Sequence, residues 1–278
     1  MSRFFSVDNE RNMLKKLVEN SFRSIDEGLY DLDFDRPHDA LDLTNDIRIM
    51  KNIKKIPIIG EVKLASPSKG QIIETKNVDL IYIAKQMVKG GAVAISVLTQ
   101  KYLFNGSINN FVTVRKNVSI PMLMKDIIVS ETQIDCAKKI GADYILLIKT
   151  IFDKDLTEGS IEKFSEYSHK KGLNILYEVH TEDEFKEILD FKIEKKDLIG
   201  INNRSLATLK IDLKITENLL TKRDKGRNLI VSESGIEKIE QIRYLKNVGA
   251  DAFLIGTSLM EKNQNIVFKL MELVNSMN

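Results

Sequence analysis

The stretch Gly-Ala-Asp-Ala-Phe-Leu-Ile-Gly, residues 249–256, joins the end of one segment to a short apolar run. A glycine is the least costly residue in the left-handed conformation that commonly ends a helix, and the apolar run that follows is typical of a buried strand. The same arrangement recurs at Gly141-Ala142-Asp143 and, in shorter form, at Gly90-Gly91-Ala92. This recurrence predicts a fold built from repeated helix-to-strand units.

Short apolar runs alternate with longer amphipathic segments from about residue 56 onward, as expected of parallel strands linked by helices. Eight units in roughly two hundred residues predict an α/β fold, a (β/α)8 TIM barrel. The alternative is an open, doubly wound sheet, but the Gly-x-Gly-x-x-Gly fingerprint that usually follows its first strand is absent. The eight runs are Ile58–Lys63, Ala92–Leu98, Pro121–Lys125, Tyr144–Ile148, Asn174–Glu178, Leu198–Asn202, Leu229–Glu233 and Ala252–Gly256.

Residues 1–55 precede the repeat. They contain helical patterns around Asn9–Phe22 and Leu41–Lys51, separated by a segment rich in Asp, Gly and Pro. No Pro/Gly/Ser linker marks a second independent domain. We therefore expect an N-terminal helical extension, residues 1–55, packed on a barrel domain of residues 56–278.

Composition limits the classes of partner. The chain has 42 basic and 40 acidic residues and a formal charge of +2, so a nucleic-acid partner is not expected. Its apolar stretches are too short to span a bilayer, and its N-terminus lacks the continuous apolar core of a secretory signal. We expect a cytoplasmic protein without a membrane partner.

Cysteine and histidine usage argues against a metal site. The single cysteine, Cys136, excludes an internal disulfide and lies in a helix-like stretch, where a packing role is expected. The histidines, His38, His169 and His180, are far apart in sequence and have no His-x-x-x-His spacing. A zinc enzyme is therefore disfavoured.

Polar residues end five of the eight runs, where the active site of a TIM barrel lies. Glu61 and Lys63 are two positions apart, so their side chains project from one face of an apolar strand and need to pair or bind a charged ligand. Any one of these residues is equally explained as a solvated strand end, but together they predict a polar ring over an apolar barrel. The other run ends are Lys125-Asp126, Glu178, Asn202-Asn203-Arg204 and Glu233-Ser234.

Small residues close the last two runs and predict a phosphate site. Backbone N–H groups at a glycine turn and at a helix N-terminus attract anions, and the loops after strands seven and eight of such barrels often bind phosphate. We expect Gly235, Gly256 and Thr257 to bind it. The alternative is that these glycines merely turn the chain.

Two lysines are candidates for acid catalysis. Burial or a nearby cation lowers the pKa of lysine below its ordinary value of about 10.4, which eases proton donation. We expect Lys63 and Lys125 to face one another across the barrel mouth and to repel, with Glu61, Asp126 and Glu233 setting the balance. One lysine acting through a Schiff base, as in class I aldolases, is equally compatible with the residues.

From about Ile58 to Met260 the sequence resembles the indole-3-glycerol-phosphate synthase family. The first-strand signature of that family is rather specific, and its extra N-terminal helix also fits the extension. The segments that carry the resemblance are Glu61-Val62-Lys63 with Ser66-Pro67-Ser68-Lys69-Gly70, Ser96-Val97-Leu98-Thr99 with Phe104-Asn105-Gly106-Ser107, Ile120–Asp126, Gly200–Leu206, Val231–Ile236 and Leu254–Met260.

The resemblance implies a reaction without a metal or organic cofactor: 1-(2-carboxyphenylamino)-1-deoxyribulose 5-phosphate is cyclised to indole-3-glycerol phosphate with loss of carbon dioxide and water. It implies Lys125 as the general acid at the ketone and Lys63 as a contact of the carboxylate and a later proton donor. Glu178 would be the base that completes dehydration, and Glu61 and Glu233 would orient the lysines and the substrate.

The resemblance also implies substrate-binding residues. Asn202 joins the catalytic set, whereas Ser66, Arg204 and Ser234 would line the site. Contacts with the aromatic ring would come from Phe104, Leu146 and Leu206.

The sequence departs from the family pattern in three places. The second loop, Gln100-Lys101-Tyr102-Leu103, lacks the acidic residues often seen there, and Ile127 replaces a common aromatic residue. Packing on the anthranilate ring should therefore differ. The resemblance offers no account of Lys149, near the end of the fourth run.

Two other functions fit the residues less well. Phosphoribosylanthranilate isomerase would need an acid–base cysteine on the first strand, whereas Cys136 is in a helical pattern. A catalytically idle, phosphate-binding partner subunit would not need a poised acid and base. Beyond a small phosphorylated substrate, we expect a monomer or weak homodimer in contact with other tryptophan-pathway enzymes.

Overall fold

The computed structural model describes residues 4–33, 39–66, 70–72, 79–191, 193–206, 208–261 and 264–277, with side chains from residue 13 onward. His38 and the Pro67-Ser68-Lys69 part of the first-strand signature lie outside these ranges.

Eight parallel strands form a closed barrel in which each strand pairs with its neighbours in sequence and the eighth pairs with the first. The predicted TIM barrel is therefore confirmed, and the open doubly wound sheet is wrong. All eight strands overlap the predicted runs; the largest shift is at the second, because Ala92 N still donates to Met87 O, 3.0 Å away, at the end of a helix. The strands are β1 Ile58–Val62, β2 Ala94–Leu98, β3 Met122–Lys125, β4 Tyr144–Ile148, β5 Asn174–Val179, β6 Leu198–Asn202, β7 Ile230–Glu233 and β8 Ala252–Ile255.

Helices connect the strands and cover the outside of the barrel. A short antiparallel hairpin, Ala65–Ser66 with Gly70–Gln71, follows β1, and a 3-10 helix, Thr257–Leu259, follows β8. The helices are α1 Phe4–Asp26, α2 Leu43–Asn52, α3 Leu80–Lys89, α4 Ile108–Arg115, α5 Glu131–Lys139, α6 Lys149–Asp153, α7 Ile161–Lys170, α8 Glu182–Asp190, α9 Lys214–Lys222, α10 Ile239–Asn247 and α11 Ile266–Val274.

The glycines that predicted helix ends have the backbone conformation that such ends require. Gly91, Gly141 and Gly249 have φ angles of 96°, 77° and 112°, in the left-handed region that disfavours other residues. Each lies two residues after the last residue of α3, α5 or α10 and turns the chain into the next strand. The repeated glycine signal in the sequence therefore has a conformational cause.

The N-terminal helices α1 and α2 precede the barrel, as the sequence predicted. Leu14, Leu17 and Val18 of α1 are buried, so this helix packs against the rest of the chain through an apolar face. Among the described residues, no helix is both long enough and apolar enough to cross a membrane.

Candidate active site

One cavity at the carboxyl ends of the strands is lined by all the residues predicted to be catalytic, substrate-binding or phosphate-binding. Its empty volume is about 1150 Å³ with the open mouth included. The predicted residues that line it are Glu61, Lys63, Ser66, Phe104, Lys125, Leu146, Glu178, Asn202, Arg204, Leu206, Glu233, Ser234, Gly235, Gly256 and Thr257.

The centre of the cavity is a buried cluster of one ammonium and two carboxylates. Lys125 Nζ is 2.9 Å from Glu178 Oε2 and 2.5 Å from Glu233 Oε2. The exposed fractions of these three side chains are 12%, 2% and 1%. With Glu61, they come from β1, β3, β5 and β7, and the side chains of alternate strands point to the same level inside such a barrel.

The cluster shifts each of its pKa values. Burial by itself would lower the pKa of Lys125, but the charges of Glu178 and Glu233 outweigh burial and hold that pKa above its ordinary range. Burial raises the pKa of Glu233 to about 7, against the lowering effect of Lys125. For Glu178, the positive charges of Lys125 and His180 and a hydrogen bond from Asn202 overcome burial, so its pKa is lowered.

These contacts correct the expectation that Lys63 and Lys125 repel one another. Each ammonium has its own carboxylate: Lys63 forms an ion pair and hydrogen bond with Glu61, and Lys125 lies between two acids. The pKa of Lys125 is raised, not lowered. Proton donation by Lys125 would therefore need its carboxylate partners to be neutralised or displaced during the reaction.

Asp126 does not balance the lysines, which is a second correction. Its carboxylate accepts hydrogen bonds from Tyr30 Oη at 2.9 Å, Thr99 Oγ1 at 2.5 Å and Ile127 N at 2.8 Å. Burial raises its pKa, although these donors oppose the increase. Asp126 thus ties the loop after β3 to the segment that follows α1.

Two glycines leave space for the carboxylates. A Cβ atom at Gly200 would lie 2.2 Å from Glu233 Oε1, and one at Gly256 would lie 2.6 Å from Glu61 Oε1. Real Cβ atoms essentially never approach other atoms this closely. A side chain at Gly200 on β6 or at Gly256 after β8 would therefore displace a carboxylate of the charged cluster, whatever else Gly256 contacts.

Apolar side chains form part of the cavity lining. Phe104, Leu146, Leu206 and Ile127 are among them, and they come from four different strands or the loops that follow them. Leu17 of α1 also lines the cavity. Its apolar helical pattern was visible in the sequence, but nothing there indicated that α1 reaches the cavity.

The loops after β7 and β8 have the turns expected of an anion site. Ser234 and Gly235 have φ angles of 68° and 79°, and Thr257 is the first residue of the 3-10 helix, whose first N–H groups have no acceptor within the helix. Asn203, which the sequence placed in the polar ring without a role, supports this turn, because its Nδ2 donates to Ser234 O at 3.2 Å and to Glu233 O at 3.0 Å.

Three residues that the sequence analysis discussed lie away from the cavity. Cys136 is buried in α5, where burial raises its pKa to about 12. His169 contacts Asp197, whose oxygen accepts from Ile175 N at the start of β5. Lys149 is buried and paired with Asp153 and Glu187, which answers the open question about it: it links α6 to α8.

His180 was considered in the sequence only as a metal ligand, yet it lies directly behind the cluster. Its Nε2 is 3.4 Å from Glu178 Oε1. The signal was present in the sequence, because Glu178 and His180 have the same two-residue spacing as Glu61 and Lys63.

Comparison with known proteins gives a consistent result. The family model for indole-3-glycerol phosphate synthase matches residues 12–270. Indole-3-glycerol phosphate synthase of Methanocaldococcus jannaschii is 43% identical over 273 residues, covering 96% of this chain and 97% of the relative. The enzyme of the same name from Aquifex aeolicus is 46% identical over 219 residues, covering 78% and 80%.

A solved structure supports the fold alone. Thiamine phosphate pyrophosphorylase from Pyrococcus furiosus superposes with a TM-score of 0.57 at 16% identity, covering 81% of this chain and 96% of that one.

Proposed function

Because the chain belongs to the indole-3-glycerol phosphate synthase family, we propose that Lys125 is the general acid of its ring-closing step. The enzyme is a carboxy-lyase of tryptophan biosynthesis that converts 1-(2-carboxyphenylamino)-1-deoxyribulose 5-phosphate to indole-3-glycerol phosphate. The observation that carries the proposal is the position of the Lys125 ammonium, within 2.9 Å of two buried carboxylates in the cavity.

Ring closure joins the ring carbon that bears the carboxylate to the ketone carbon of the ribulose. The electron pair of the carbonyl moves to its oxygen, and an ammonium at that oxygen stabilises the charge and donates a proton. Loss of carbon dioxide then returns its bonding electrons to the ring. The raised pKa of Lys125 keeps it an ammonium that stabilises the developing negative charge, and its proton is transferred as its carboxylate partners are neutralised or displaced.

Dehydration requires a second acid and a base. We assign Lys63 as a contact of the substrate carboxylate that then protonates the departing hydroxyl, and Glu178 as the base that removes the proton from the neighbouring carbon. The lowered pKa of Glu178 keeps it ionised for that role. Glu61 and Glu233 hold the two lysines by ion pairs, and Asn202 hydrogen-bonds Glu178.

The cavity lining offers both apolar side chains and anion-binding turns, as a substrate with an aromatic ring and a phosphate requires. The anthranilate ring is proposed to lie against Phe104, Leu146 and Leu206, and the phosphate at the turns after β7 and β8. Ring and phosphate are at opposite ends of the substrate, with the ketone between them. Gly235, Gly256 and Thr257 are assigned to the phosphate, and Ser66, Arg204 and Ser234 to the rest of the substrate.

Indole fluorescence during turnover tests the assignment of Lys125. Lys125→Met keeps the aliphatic stem and removes the ammonium, so we expect kcat to fall by about 10²–10⁴-fold. Lys149→Met is the matched control, since Lys149 is also a buried lysine with two carboxylate partners, but outside the cavity. Lys125→Met with the kcat of the wild type would contradict the assignment.

A Schiff base at Lys125 or Lys63 is the alternative that the residues left open. Treatment with borohydride in the presence of substrate would trap such an adduct covalently. We expect no mass increase on either lysine. The isomerase alternative has no support in this fold, because its cysteine would have to come from the first strand and Cys136 lies buried in α5.

We also propose that the enzyme acts in the cytoplasm, as a monomer or weak homodimer in contact with other tryptophan-pathway enzymes. Exposed apolar side chains on two helices that pack together, Tyr82 of α3 with Phe268 and Met271 of α11, support weak self-association. Cell fractionation tests the location, and sedimentation over a range of concentrations tests the oligomeric state.

A further inference from the structure

His180 is the first residue after β5 and lies behind Glu178 as seen from Lys125. Its side chain is 9% exposed, and the facing carboxylate of Glu178 is 2% exposed. Burying an imidazole this close to a buried carboxylate is costly unless a proton lies between them and the imidazole carries a positive charge.

Thr150 and Glu184 lie next to Nδ1, one of the two ring nitrogens of His180, and determine its protonation. Thr150 Oγ1 donates to Glu184 Oε1 at 2.7 Å, so its single hydrogen is used. Thr150 Oγ1 is also 3.2 Å from His180 Nδ1 and must therefore accept there, which places a hydrogen on Nδ1. Glu184 Oε2 lies 3.6 Å from the same nitrogen and accepts from His180 N at 2.7 Å.

The other ring nitrogen faces Glu178. Among the described residues, His180 Nε2 is buried without a hydrogen-bond partner and lies 3.4 Å from Glu178 Oε1. A neutral imidazole with its hydrogen on Nδ1 would direct the Nε2 lone pair at a carboxylate oxygen, which is repulsive. A proton between Nε2 and Oε1 removes this repulsion and turns the contact into a charge-assisted pair.

We infer that His180 is a positioning residue for the reaction: held as an imidazolium by Thr150 and Glu184, it fixes the orientation and the negative charge of Glu178. The inference rests on the proposed role of Glu178 as the dehydration base. Glu178 would then be held from both sides, with Lys125 on Oε2 and His180 on Oε1.

The charged groups that face His180 agree with this arrangement. Glu178 on β5, Glu184 on α8 and Glu233 on β7 are all acidic. Burial alone would lower the pKa of His180, but these carboxylates raise it above its ordinary value of 6.5. In turn, the charge of His180 contributes to the lowered pKa of Glu178.

Imidazole NMR titration of the full-length protein tests the inference directly, because the chain has only three histidines. We expect His180 to titrate above 6.5 in the wild type and at lower pH in Glu178→Gln. His169, paired with Asp197 at the other end of the barrel, is the internal control and should not move. A His180 pKa at or below 6.5, or one unchanged by Glu178→Gln, would overturn the inference.

Kinetics separate this role from a structural one. His180→Gln keeps a donor near Nε2 but removes the charge, and we expect kcat to fall by up to about 10²-fold, as for a misplaced catalytic group, with little change in KM. His169→Gln, the control, should keep the kcat of the wild type. An unchanged kcat in His180→Gln would overturn the inference, whereas full activity of Glu178→Gln would overturn the proposed base and, with it, the catalytic purpose of His180.

Discussion

The two acids that hold Lys125 have opposite pKa shifts although both are buried. Glu178 contacts positive charge from Lys125 and His180 and is lowered, whereas Glu233 is raised to about 7. Two carboxyl groups with separated pKa values can take different roles at one pH. Glu178 is ionised and ready to accept a proton, and Glu233 gains or loses one near neutrality.

The raised pKa of Glu233 predicts a dependence of stability on pH. Its ordinary pKa is 4.5, so between pH 4.5 and about 7 the folded protein binds a proton that the unfolded chain does not. The contribution of Glu233 to stability is therefore full below pH 4.5 and is lost as the pH rises through about 7. Glu178, with a lowered pKa, has the opposite dependence: its contribution is present above pH 4.5 and is lost as the pH falls.

Denaturant unfolding of Glu233→Gln at several pH values measures this effect. Gln does not titrate, so we expect the variant to gain stability relative to the wild type as the pH rises from 4.5 to 7, by up to about 1.4 kcal/mol per pH unit. A constant difference across this range would show that Glu233 titrates at its ordinary pKa.

Gly200 leaves the space that the Glu233 side chain occupies. A Cβ there would meet Glu233 Oε1, the end of a flexible side chain, so Gly200→Ala should fold with Glu233 displaced from Lys125. Displacement on the order of 1 Å in a catalytic group can cost about 10²-fold in rate, and we expect kcat to fall by that amount. Steady-state turnover measures it.

The matched control is Gly60→Ala, also on a barrel strand, where the new Cβ would meet Met87 Sδ at 2.8 Å. This change overpacks the core, so it should cost about 1–3 kcal/mol of stability but leave kcat unchanged. Equal losses of kcat in both variants would mean that a general packing defect, and not the position of Glu233, causes them.

The loop after β2, which has no acidic residue in Gln100-Lys101-Tyr102-Leu103, contacts an acid of the N-terminal extension. The loop itself carries Lys101 and Tyr102, and the acid is in the extension: Glu27 contacts Lys101 Nζ at 3.1 Å and Tyr102 Oη at 2.5 Å. The hydrogen bond from Tyr102 and the ion pair with Lys101 lower the pKa of Glu27 to about 2. The positive charge of this contact therefore lies on the loop and the negative charge on the extension.

The helical and strand patterns in the sequence predicted the elements. They did not predict the contacts between the extension and the barrel loops. The sequence predicted helices before the barrel and placed Asp126 at the end of a strand. It could not show that Tyr30 reaches Asp126, because nothing in a local pattern relates residues 96 positions apart. For the same reason the division into an extension, 1–55, and a barrel, 56–278, stays a prediction.

Tyr30→Phe tests whether the extension supports the loop that follows Lys125. The change removes one donor from the buried Asp126 carboxylate, so we expect a loss of about 1–3 kcal/mol in the free energy of unfolding and a lower kcat. Thermal and denaturant unfolding with steady-state kinetics measure both.

Tyr82→Phe, at an exposed phenol on α3, is the control and should change neither. A stable Tyr30→Phe variant with unchanged kcat would mean that Asp126 needs no support from the extension.

At the scale of the whole molecule, the two ends of the barrel use charge differently. At the carboxyl ends of the strands, charged groups surround the cavity. At the opposite end, Asp143, Asp197 and Asp251 accept hydrogen bonds from the backbone at the starts of β3, β5 and β7, from Met122 N at 2.6 Å, Ile175 N at 2.9 Å and Ile230 N at 2.9 Å. Residues at that end of a TIM barrel generally serve stability.

The sequence showed where two of these aspartates lie, but not which groups they bind. Gly141-Ala142-Asp143 and Gly249-Ala250-Asp251 marked helix ends correctly, yet the aspartates in them had no assigned purpose. Their partners are distant in sequence: Arg115 contacts Asp143 at 2.8 Å, and both side chains are almost fully buried. A periodic pattern locates a strand, whereas the groups that meet at its end become known only when the barrel closes.

Asp143→Ala should therefore separate stability from catalysis. It leaves the Arg115 guanidinium buried without its carboxylate and removes the acceptor of Met122 N, and breaking a buried pair in this way typically costs about 3–5 kcal/mol. We expect that loss in denaturant unfolding, with kcat unchanged at temperatures where the variant stays folded, because the cavity is at the other end of the strands.

Glu166→Ala, at an exposed position of α7, is the control, and its free energy of unfolding should stay within about 0.5 kcal/mol of the wild type. A fall in kcat of the folded Asp143→Ala protein would show that the two ends of the barrel are coupled through β3, whose last residue is Lys125.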